Sequence, residues 1–373
     1  LIDIAVVSSN SSIYDPRVQK IVGSLIKRYS TVVLGWNREG APRHLIDNHM
    51  PYLKLLSVKA PLGKPTLVPY YPLFWVWVII QLFIYKPNIV HACNLETFLP
   101  SYIYKLVFRK KLVFDIFDRY AMANIPQKYG ALYSLVNLIE EMSCWKADVL
   151  VTVSDSLLRS IRRKPKDCSL IMNCVEDYVT DRVNSDDYVL TLVYAGIIVE
   201  HRGLESVADA IRDLNNVEFI VAGRVYHQEV LEKILDTPHV KYKGLLQPRE
   251  ALSLEAHADA IVVLLDFEKV PDYNFAMPNK MFEAMMFGIP IITNAAIEFV
   301  RKIDFGITVE YNNKDQIRSA IVNLRDDLRL RKMLGENGRK AFLEKYNWTV
   351  MESKLYQIYD NLLKKEVQTS QIV

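Results

Sequence analysis

Apolar positions along the chain alternate between two rhythms. Short continuous runs rich in Val and Ile predict strands at Ile2–Ser8, Thr31–Leu34, Ile89–His91, Lys111–Asp115, Val149–Val153 and Ser169–Met172. The series continues at Leu192–Ala195, Val217–Ala222, Val240–Lys243, Ala260–Leu264, Ile289–Thr293 and Ile307–Val309. Runs of this length without polar alternation fit strands buried on both faces of a parallel sheet. Between them lie stretches with helical spacing, among them Asp15–Lys27, Leu132–Cys144, Leu204–Leu214 and Lys314–Asp326. Alternation of this kind predicts an α/β fold with doubly wound parallel sheets.

The alternation falls into two series. The first runs to about Met172. A polar stretch without apolar period follows at Glu176–Asp187, and a second series begins at Tyr188. We read the polar stretch as a linker between domains 1–187 and 188–347. The length of 373 residues agrees, at about 150 residues per domain. Apolar residues at Trp348, Met351, Leu355, Ile358, Tyr359 and Leu362 predict a closing helix. Two doubly wound domains are expected to face across a cleft, with ligands at the carboxyl ends of their strands.

Leu73–Tyr85 has one polar residue, Gln81, in thirteen. A membrane-spanning helix needs about 20 apolar residues, and this run meets Pro72 and Pro69 upstream and Pro87 downstream. It reads as a buried or interfacial helix. Leu1–Ser8 carries Asp3 and no basic lead, so it reads as a first strand rather than a secretory leader.

Composition sharpens the picture. With 50% hydrophobic and 24% charged residues, disorder is excluded. The net charge of +3 is unevenly spread: residues 1–187 hold 23 Lys+Arg against 17 Asp+Glu, the remainder 23 against 26. So small an excess disfavours a dedicated nucleic-acid binder and suits an anionic small ligand or membrane surface. Cys93, Cys144, Cys168 and Cys174 show no CxxC spacing, so reduced thiols are expected rather than a disulfide framework or structural zinc.

Several strand ends carry candidate chemistry. In LVYAGIIVEHRGL, Gly196 ends a strand and a helix starts after Gly203, with Arg202 at the junction. Glycines let backbone approach a ligand, and a helix N-terminus attracts phosphate. The alternative is an ordinary turn with a surface arginine. VAGR, ending at Arg224, and YKGL, with Gly244 and Leu245, close later strands in the same way. In AMPNKMFEAMMFGIPIIT, Pro278 precedes a helix over about Asn279–Phe287 that Gly288 ends. Glu283 in that helix could accept two hydrogen bonds from a ribose diol, or be a solvated helix glutamate. Asn279 and Lys280 stand at its start. In the first half, His91, Glu96, Asp115 and Asp118 follow strands. Asp118 is the best candidate for a general base. Asp15 and Arg17 follow the polar loop Ser8–Arg17, where they line an acceptor pocket or serve as helix-start residues.

Together these segments resemble the retaining, nucleotide-sugar-dependent glycosyltransferases of family four, which have the GT-B fold. The resemblance spans nearly the whole chain. It rests on DPRV at Asp15–Val18, VHACNLETF at Val90–Phe98, VFDIFD at Val113–Asp118, TVSDS at Thr152–Ser156, NCVED at Asn173–Asp177 and YAGIIVEHRGLE. PNKMFEAMMFGIPII is its most specific element. The resemblance implies that the closing helix, 348–373, crosses back onto the first domain. It implies that Arg202 binds the donor diphosphate and Glu283 the ribose. Pro278, Asn279 and Lys280 would line the sugar and phosphate site, with Gly244 and Leu245 near the base. His91, Glu96 and Asp118 would face the acceptor or the reacting sugar. Gly196, Gly203 and Arg224 complete the expected donor site, and Asp118, Arg202 and Lys280 are the expected catalytic groups.

Three positions depart from the family. Ile197 stands where an arginine is common, Phe275 where the first glutamate of E-x₇-E stands, and Phe117 where D-x-HE has its histidine. Arg202 is therefore the expected single phosphate anchor, aided by Arg224 or Lys280. The family's same-face substitution, in which the leaving diphosphate helps deprotonate the acceptor, asks the protein to stabilise charge on that diphosphate. No D-x-D motif is present, so no metal and no cofactor is expected. A UDP donor is taken ahead of GDP.

Tyr70, Tyr71, Trp75 and Trp77, with the basic clusters Arg109–Lys111 and Arg159–Lys166, suit a lipid-linked acceptor and peripheral membrane contact; core packing and a solvated face are the alternative. The expected place is the cytoplasm, at the inner face of the membrane. The expected partners are a nucleotide-sugar donor and a glycan or lipid-linked acceptor. Other readings are an inactive scaffold of the same fold and a sugar-nucleotide epimerase. A dehydrogenase is disfavoured, because no G-x-G-x-x-G follows the first strand.

Overall fold

The computed structural model describes residues 2–9, 15–38, 53–61, 65–125, 128–178 and 189–370. Residues 10–14 of the expected acceptor loop, 179–187 of the expected linker and 371–373 of the expected closing helix lie outside the described residues. The chain divides into two compact units, 1–172 with 352–373, and 173–351.

In the first unit the strands are β1 (Ile4–Ser8), β2 (Thr31–Trp36), β3 (Leu53–Leu56), β4 (Ile89–Cys93), β5 (Lys111–Ile116), β6 (Val149–Thr152) and β7 (Asp167–Leu170). They form one sheet in the order β3-β2-β1-β4-β5-β6-β7. Every pairing is parallel. The helices are α1 (Pro16–Leu25), α2 (Tyr71–Tyr85), α3 (Leu95–Phe108), α4 (Tyr120–Asn124), α5 (Gly130–Lys146) and α6 (Asp155–Ser160). Asp15 caps α1 by accepting from the Arg17 and Val18 amides. α2 buries Phe74, Val78 and Leu82, and Phe74 stacks on Trp36 of β2 with ring centroids 5.1 Å apart. The apolar run is thus docked on the sheet along one stripe, with its other side exposed.

The second unit repeats the winding. Its strands are β8 (Leu190–Ala195), β9 (Val217–Ala222), β10 (Val240–Tyr242), β11 (Ala260–Val263), β12 (Ile291–Thr293) and β13 (Gly306–Thr308). Their order is β10-β9-β8-β11-β12-β13, again parallel. Its helices are α7 (Leu204–Ile211), α8 (Gln228–Leu235), α9 (Pro248–Ala256), α10 (Asn279–Phe287), α11 (Ile297–Ile303), α12 (Lys314–Asp326) and α13 (Leu328–Glu344). In both sheets the strand order reverses beside the first strand of the unit. That reversal opens a crevice at the carboxyl ends of β1 and β4, and of β8 and β11. α14 (Trp348–Ser370) closes the fold.

Every expected strand exists, with shifted ends. β7 lies at Asp167–Leu170 rather than Ser169–Met172, because polar Asp167 and Cys168 pair with β6 at the sheet edge. β3 was not foreseen: it is a four-residue edge strand with an exposed Lys54 at its centre. The expected border between 187 and 188 falls among residues outside the description. On its near side, Asp177 is bound by both terminal guanidinium nitrogens of Arg339 at 2.7 and 2.9 Å, which places 173–178 with the second unit.

Candidate functional site

In the first unit the polar candidates form a closed, buried network. Arg17, at the start of α1, gives two hydrogen bonds to Asp115 at the end of β5, at 2.7 and 3.0 Å, and a third to the Ile171 carbonyl at 2.7 Å. His91 Nε2 lies 3.3 Å from the same carboxylate, and its Nδ1 meets the Tyr359 hydroxyl at 2.6 Å. Burial pushes the Asp115 carboxyl up, but Arg17 and then His91 outweigh it and hold the carboxyl below its ordinary value. Arg17 and His91 thus spend their polar atoms on the interior. Phe117 lies over Arg17, whose guanidinium carbon is 5.1 Å from the ring centroid.

The remaining first-unit candidates lie nearer the surface. Asp15 is the α1 cap. Glu96, in the first turn of α3, accepts from Ser9 at 2.6 Å, and burial raises its carboxyl above the ordinary value. Asp118 is exposed, just before α4. Its neighbour Arg119 is buried on Glu140 and Glu141 at 3.0 and 2.9 Å. Asn94 has a positive φ of 62° between β4 and α3, and its side chain accepts from the Phe117 amide at 3.0 Å. This joins the ends of β4 and β5, where the strand order makes its crevice.

In the second unit three strand ends come together through glycine. The Gly196 amide donates to Ala222, and the Gly223 amide donates to Gly244, at 2.9 and 2.8 Å. Gly223 has φ +137°, and a Cβ there would collide with the Gly196 carbonyl. No side chain fits between β8 and β9 at this point, so backbone alone lines the floor. Leu245 is exposed beyond Gly244, and Arg224 is exposed beyond Gly223.

Above that floor lies the turn 200–203. Gly203, with φ +62°, ends it; a Cβ there would come within 2.7 Å of Leu264. α7 therefore begins at a glycine without a side-chain cap, and its first amides stay open. Arg202 is half-buried, with its guanidinium carbon 5.0 Å from the Tyr273 ring centroid. Among the described residues its Nε has no hydrogen-bond partner. The Asp266 amide ties the loop after β11 to the His201 carbonyl at 3.2 Å. Burial raises the Tyr194 phenol to about 12, against the opposing charges of Arg202 and Lys280, and its hydroxyl donates to the Ile197 carbonyl at 2.7 Å.

α10 also starts without a side-chain cap, at Pro278, with Asn279 exposed. Its inner face buries Met281, Phe282, Ala284 and Met285, which leaves Lys280 and Glu283 on the outer one. Lys280 Nζ lies 2.8 Å from Glu283 and 2.5 Å from Glu255 of α9. Burial works against the Lys280 charge, yet the two carboxylates raise its ammonium well above the ordinary value. Lys280, expected to meet the donor, has its ammonium on protein carboxylates.

Residues 190–327 match the family described as Glycosyl transferases group 1. This part of the chain is a glycosyl transferases group 1 domain. It begins with β8, ends within the last residues of α12 and its flank, and contains Arg202, Glu255, Lys280 and Glu283. An uncharacterised glycosyltransferase of Methanocaldococcus jannaschii is 26% identical over 186 residues, 48% of this chain and 50% of that protein. The capsular polysaccharide biosynthesis glycosyltransferase CapM of Staphylococcus aureus is 24% identical over 190 residues, 48% of each. The chain thus spans about half the length of these curated relatives. The crystal structure of Anabaena HepE in complex with UDP-glucose superposes with a TM-score of 0.72 at 13% identity, covering 97% of this chain and 100% of that one. The two Rossmann-like units have the GT-B fold.

Sequence reasoning passed over four residues of the group 1 domain. Gly223 sits inside the VAGR segment, where its neighbour Arg224 drew attention instead. Tyr194 and Tyr273 look like ordinary aromatic positions, and Glu255 looks like an ordinary helix carboxylate. Only the fold shows that these three share one neighbourhood with Arg202 and Lys280.

Proposed function

We propose that this protein is a retaining glycosyltransferase that moves a sugar from a UDP-sugar to a glycan or lipid-linked acceptor. The observation that carries the reading is the pairing, in one group 1 domain, of a side-chain-free glycine floor and uncapped helix starts with Arg202 and Glu283. Open amides and a guanidinium suit a diphosphate, and a carboxylate suits a ribose diol. Gly196, Gly203 and Gly244 give backbone access, Pro278 and Asn279 open α10 toward the phosphates, and Leu245 and Arg224 flank the base side. The chemical demand is charge on the departing diphosphate, and Arg202 with the α7 and α10 amides meets it without a resident metal. HepE with UDP-glucose and CapM of capsular polysaccharide biosynthesis favour this donor and product class. Asp118 and Glu96 are the first unit's acceptor-side groups.

The test is UDP and UDP-sugar binding to the full chain by calorimetry. Glu283→Ala should weaken UDP binding by about tenfold or more, the loss of a charged acceptor for two hydroxyls. Undiminished UDP affinity in that variant defeats the donor assignment. Transfer that persists in chelator and yields product of the donor's anomeric configuration supports the metal-free, retaining step. A second reading, donor binding without turnover, is favoured by Phe117 and Phe275. Binding without transfer across lipid-linked and free glycan acceptors would support it.

The lipid-linked class of acceptor rests on one face of the first unit. Right-handed crossovers place α2, α3 and α5 together on one side of the sheet, and α3 packs against both others. Outward, α2 exposes Leu73, Val76, Ile80 and Ile84, α3 exposes Leu106 and Val107, and α5 exposes Leu135, Leu138, Ile139 and Trp145. So wide an exposed apolar face marks an interaction surface. The helices run parallel, so Lys86 and Arg109, just after α2 and α3, and Lys146, the last residue of α5, lie at one edge. Lys146 lies 4.2 Å from the Trp145 ring. Apolar face and basic rim together suit an anionic bilayer, at the cytoplasmic surface of the membrane. Cosedimentation with phosphatidylglycerol vesicles tests this, with Ile80→Asp expected to release the protein. Equal sedimentation of both forms overturns it.

A further inference from the structure

The cluster around Lys280 holds one carboxylate more than its ammonium neutralises. The extra one, Glu255, sits on α9 and is wholly buried; Lys280 and Glu283 keep 24% and 12% exposure. One Glu255 oxygen lies 2.5 Å from Lys280 Nζ, and neither oxygen has a well-formed hydrogen bond among the described residues. An apolar residue would fill that interior position at less cost, since buried carboxylates are expensive unless fully partnered. Its neighbour on the helix, Ala256, is buried without such a demand.

We propose that Glu255 is a positioning residue of the donor site: from behind α10 it anchors the Lys280 ammonium, and Lys280 fixes the Glu283 carboxylate that receives the ribose. The role rests on the assignment of Glu283 to the ribose made above. Burial first, and the Glu283 carboxylate second, raise the Glu255 carboxyl above its ordinary value. Toward acid pH, Glu255 keeps its proton and its hold on the Lys280 ammonium weakens, so Glu283 is less firmly oriented toward the ribose. Toward alkaline pH it loses that proton and, ionised, holds Lys280 in the place from which it orients the Glu283 carboxylate. Nucleotide affinity therefore rises with pH.

The other titratable groups around the cluster do not supply this dependence. Tyr194 of β8 faces Lys280, but burial keeps its phenol protonated up to about pH 12. His257, next to α9, is bonded to the Ser253 carbonyl. Arg339 of α13, the helix packed on α10, is held by Asp177 and the Met286 carbonyl.

The experiment is calorimetric titration of UDP into wild type, Glu255→Gln and Glu283→Ala, from about pH 6 to about pH 9. Ionisation of UDP itself is common to all forms and cancels in the ratio of affinities. The wild-type to Glu255→Gln ratio should change by about tenfold across the range. A ratio independent of pH overturns the proposal, even if Glu255→Gln lowers the melting temperature. Loss of UDP binding in Glu283→Ala with a flat Glu255→Gln ratio leaves the ribose assignment standing and removes only the role of Glu255. Full UDP binding in Glu283→Ala overturns both. Should Glu255→Gln not fold, Lys280→Met must flatten the same profile, and a retained slope overturns the proposal.

Discussion

The first unit buries a charged cluster around Asp115 and the second holds one around Lys280, and the two are built on opposite terms. Around Asp115, one carboxylate is met by two guanidinium hydrogen bonds and an imidazole; the guanidinium also donates to the Ile171 carbonyl, and the imidazole Nδ1 meets the Tyr359 hydroxyl. Its members, Arg17, His91, Asp115 and Tyr359, are all buried. Around Lys280, two carboxylates divide one ammonium and part of the cluster is open to solvent. The first cluster is wholly buried and its groups are turned on one another. The second has acceptor capacity in excess. The balance of charge and exposure therefore differs between the two, although both are made of the residue types that catalysis uses.

Breaking the buried Asp115 cluster should have the largest effect on stability. Arg17→Ala leaves Asp115 charged, buried and without its main partner, and should cost about 3–5 kcal/mol in denaturant unfolding. A loss below about 1 kcal/mol would mean that the network is not the brace described. Arg202→Ala provides the contrast. It should lower kcat by about 10²–10³, as loss of one charge-stabilising donor does, while the melting temperature stays near that of wild type. A comparable fall in both quantities would erase the distinction between the two regions.

The pH response sharpens the comparison. Asp115 has a lowered pKa in the fold, so its contribution is complete above the unfolded value and is lost as pH falls through the folded one. Glu255 has a raised pKa, so its cost appears as pH climbs from the ordinary carboxylate range toward the raised value. Measured as protection relative to the intrinsic exchange rate, β5 should therefore lose protection in acid, below about pH 4, and α9 toward alkaline pH. Identical pH profiles for the two elements would contradict this. The smallest expected effect is that of Tyr359→Phe, which removes the hydroxyl on His91 and should cost about 1 kcal/mol in the same unfolding assay.

The fold was largely legible in the sequence because buried parallel strands are written as local apolar runs, and their alternation with helices marks doubly wound sheets. β3 escaped because an edge strand of four residues with Lys54 in it has no such run. The helix over Asn279–Phe287 was legible to its ends, since Pro278 and Gly288 punctuate it. The roles of single polar residues were much less so. Arg17 meets a carboxylate 98 positions away and His91 a hydroxyl 268 positions away, and no spacing within a segment announces either contact. Both look like ligand-facing residues at strand ends until their partners are known. The Glu255–Lys280 pair is equally silent, since each residue is ordinary on the polar face of its own helix.

α14 makes the first unit discontinuous in sequence. Leu355, Ile358, Tyr359 and Leu362 complete a core whose other members all precede residue 173. Tyr29 and Tyr356 tie the helix down through Asp360 and the Ser24 carbonyl, at 2.7 and 3.0 Å. During synthesis the first unit must therefore wait, with part of its interior uncovered, while residues 173–351 are added. At about 5–20 residues per second that interval is on the order of ten seconds or more. Over it the unit translated first stays open, and the unit translated second is the first able to close on its own residues.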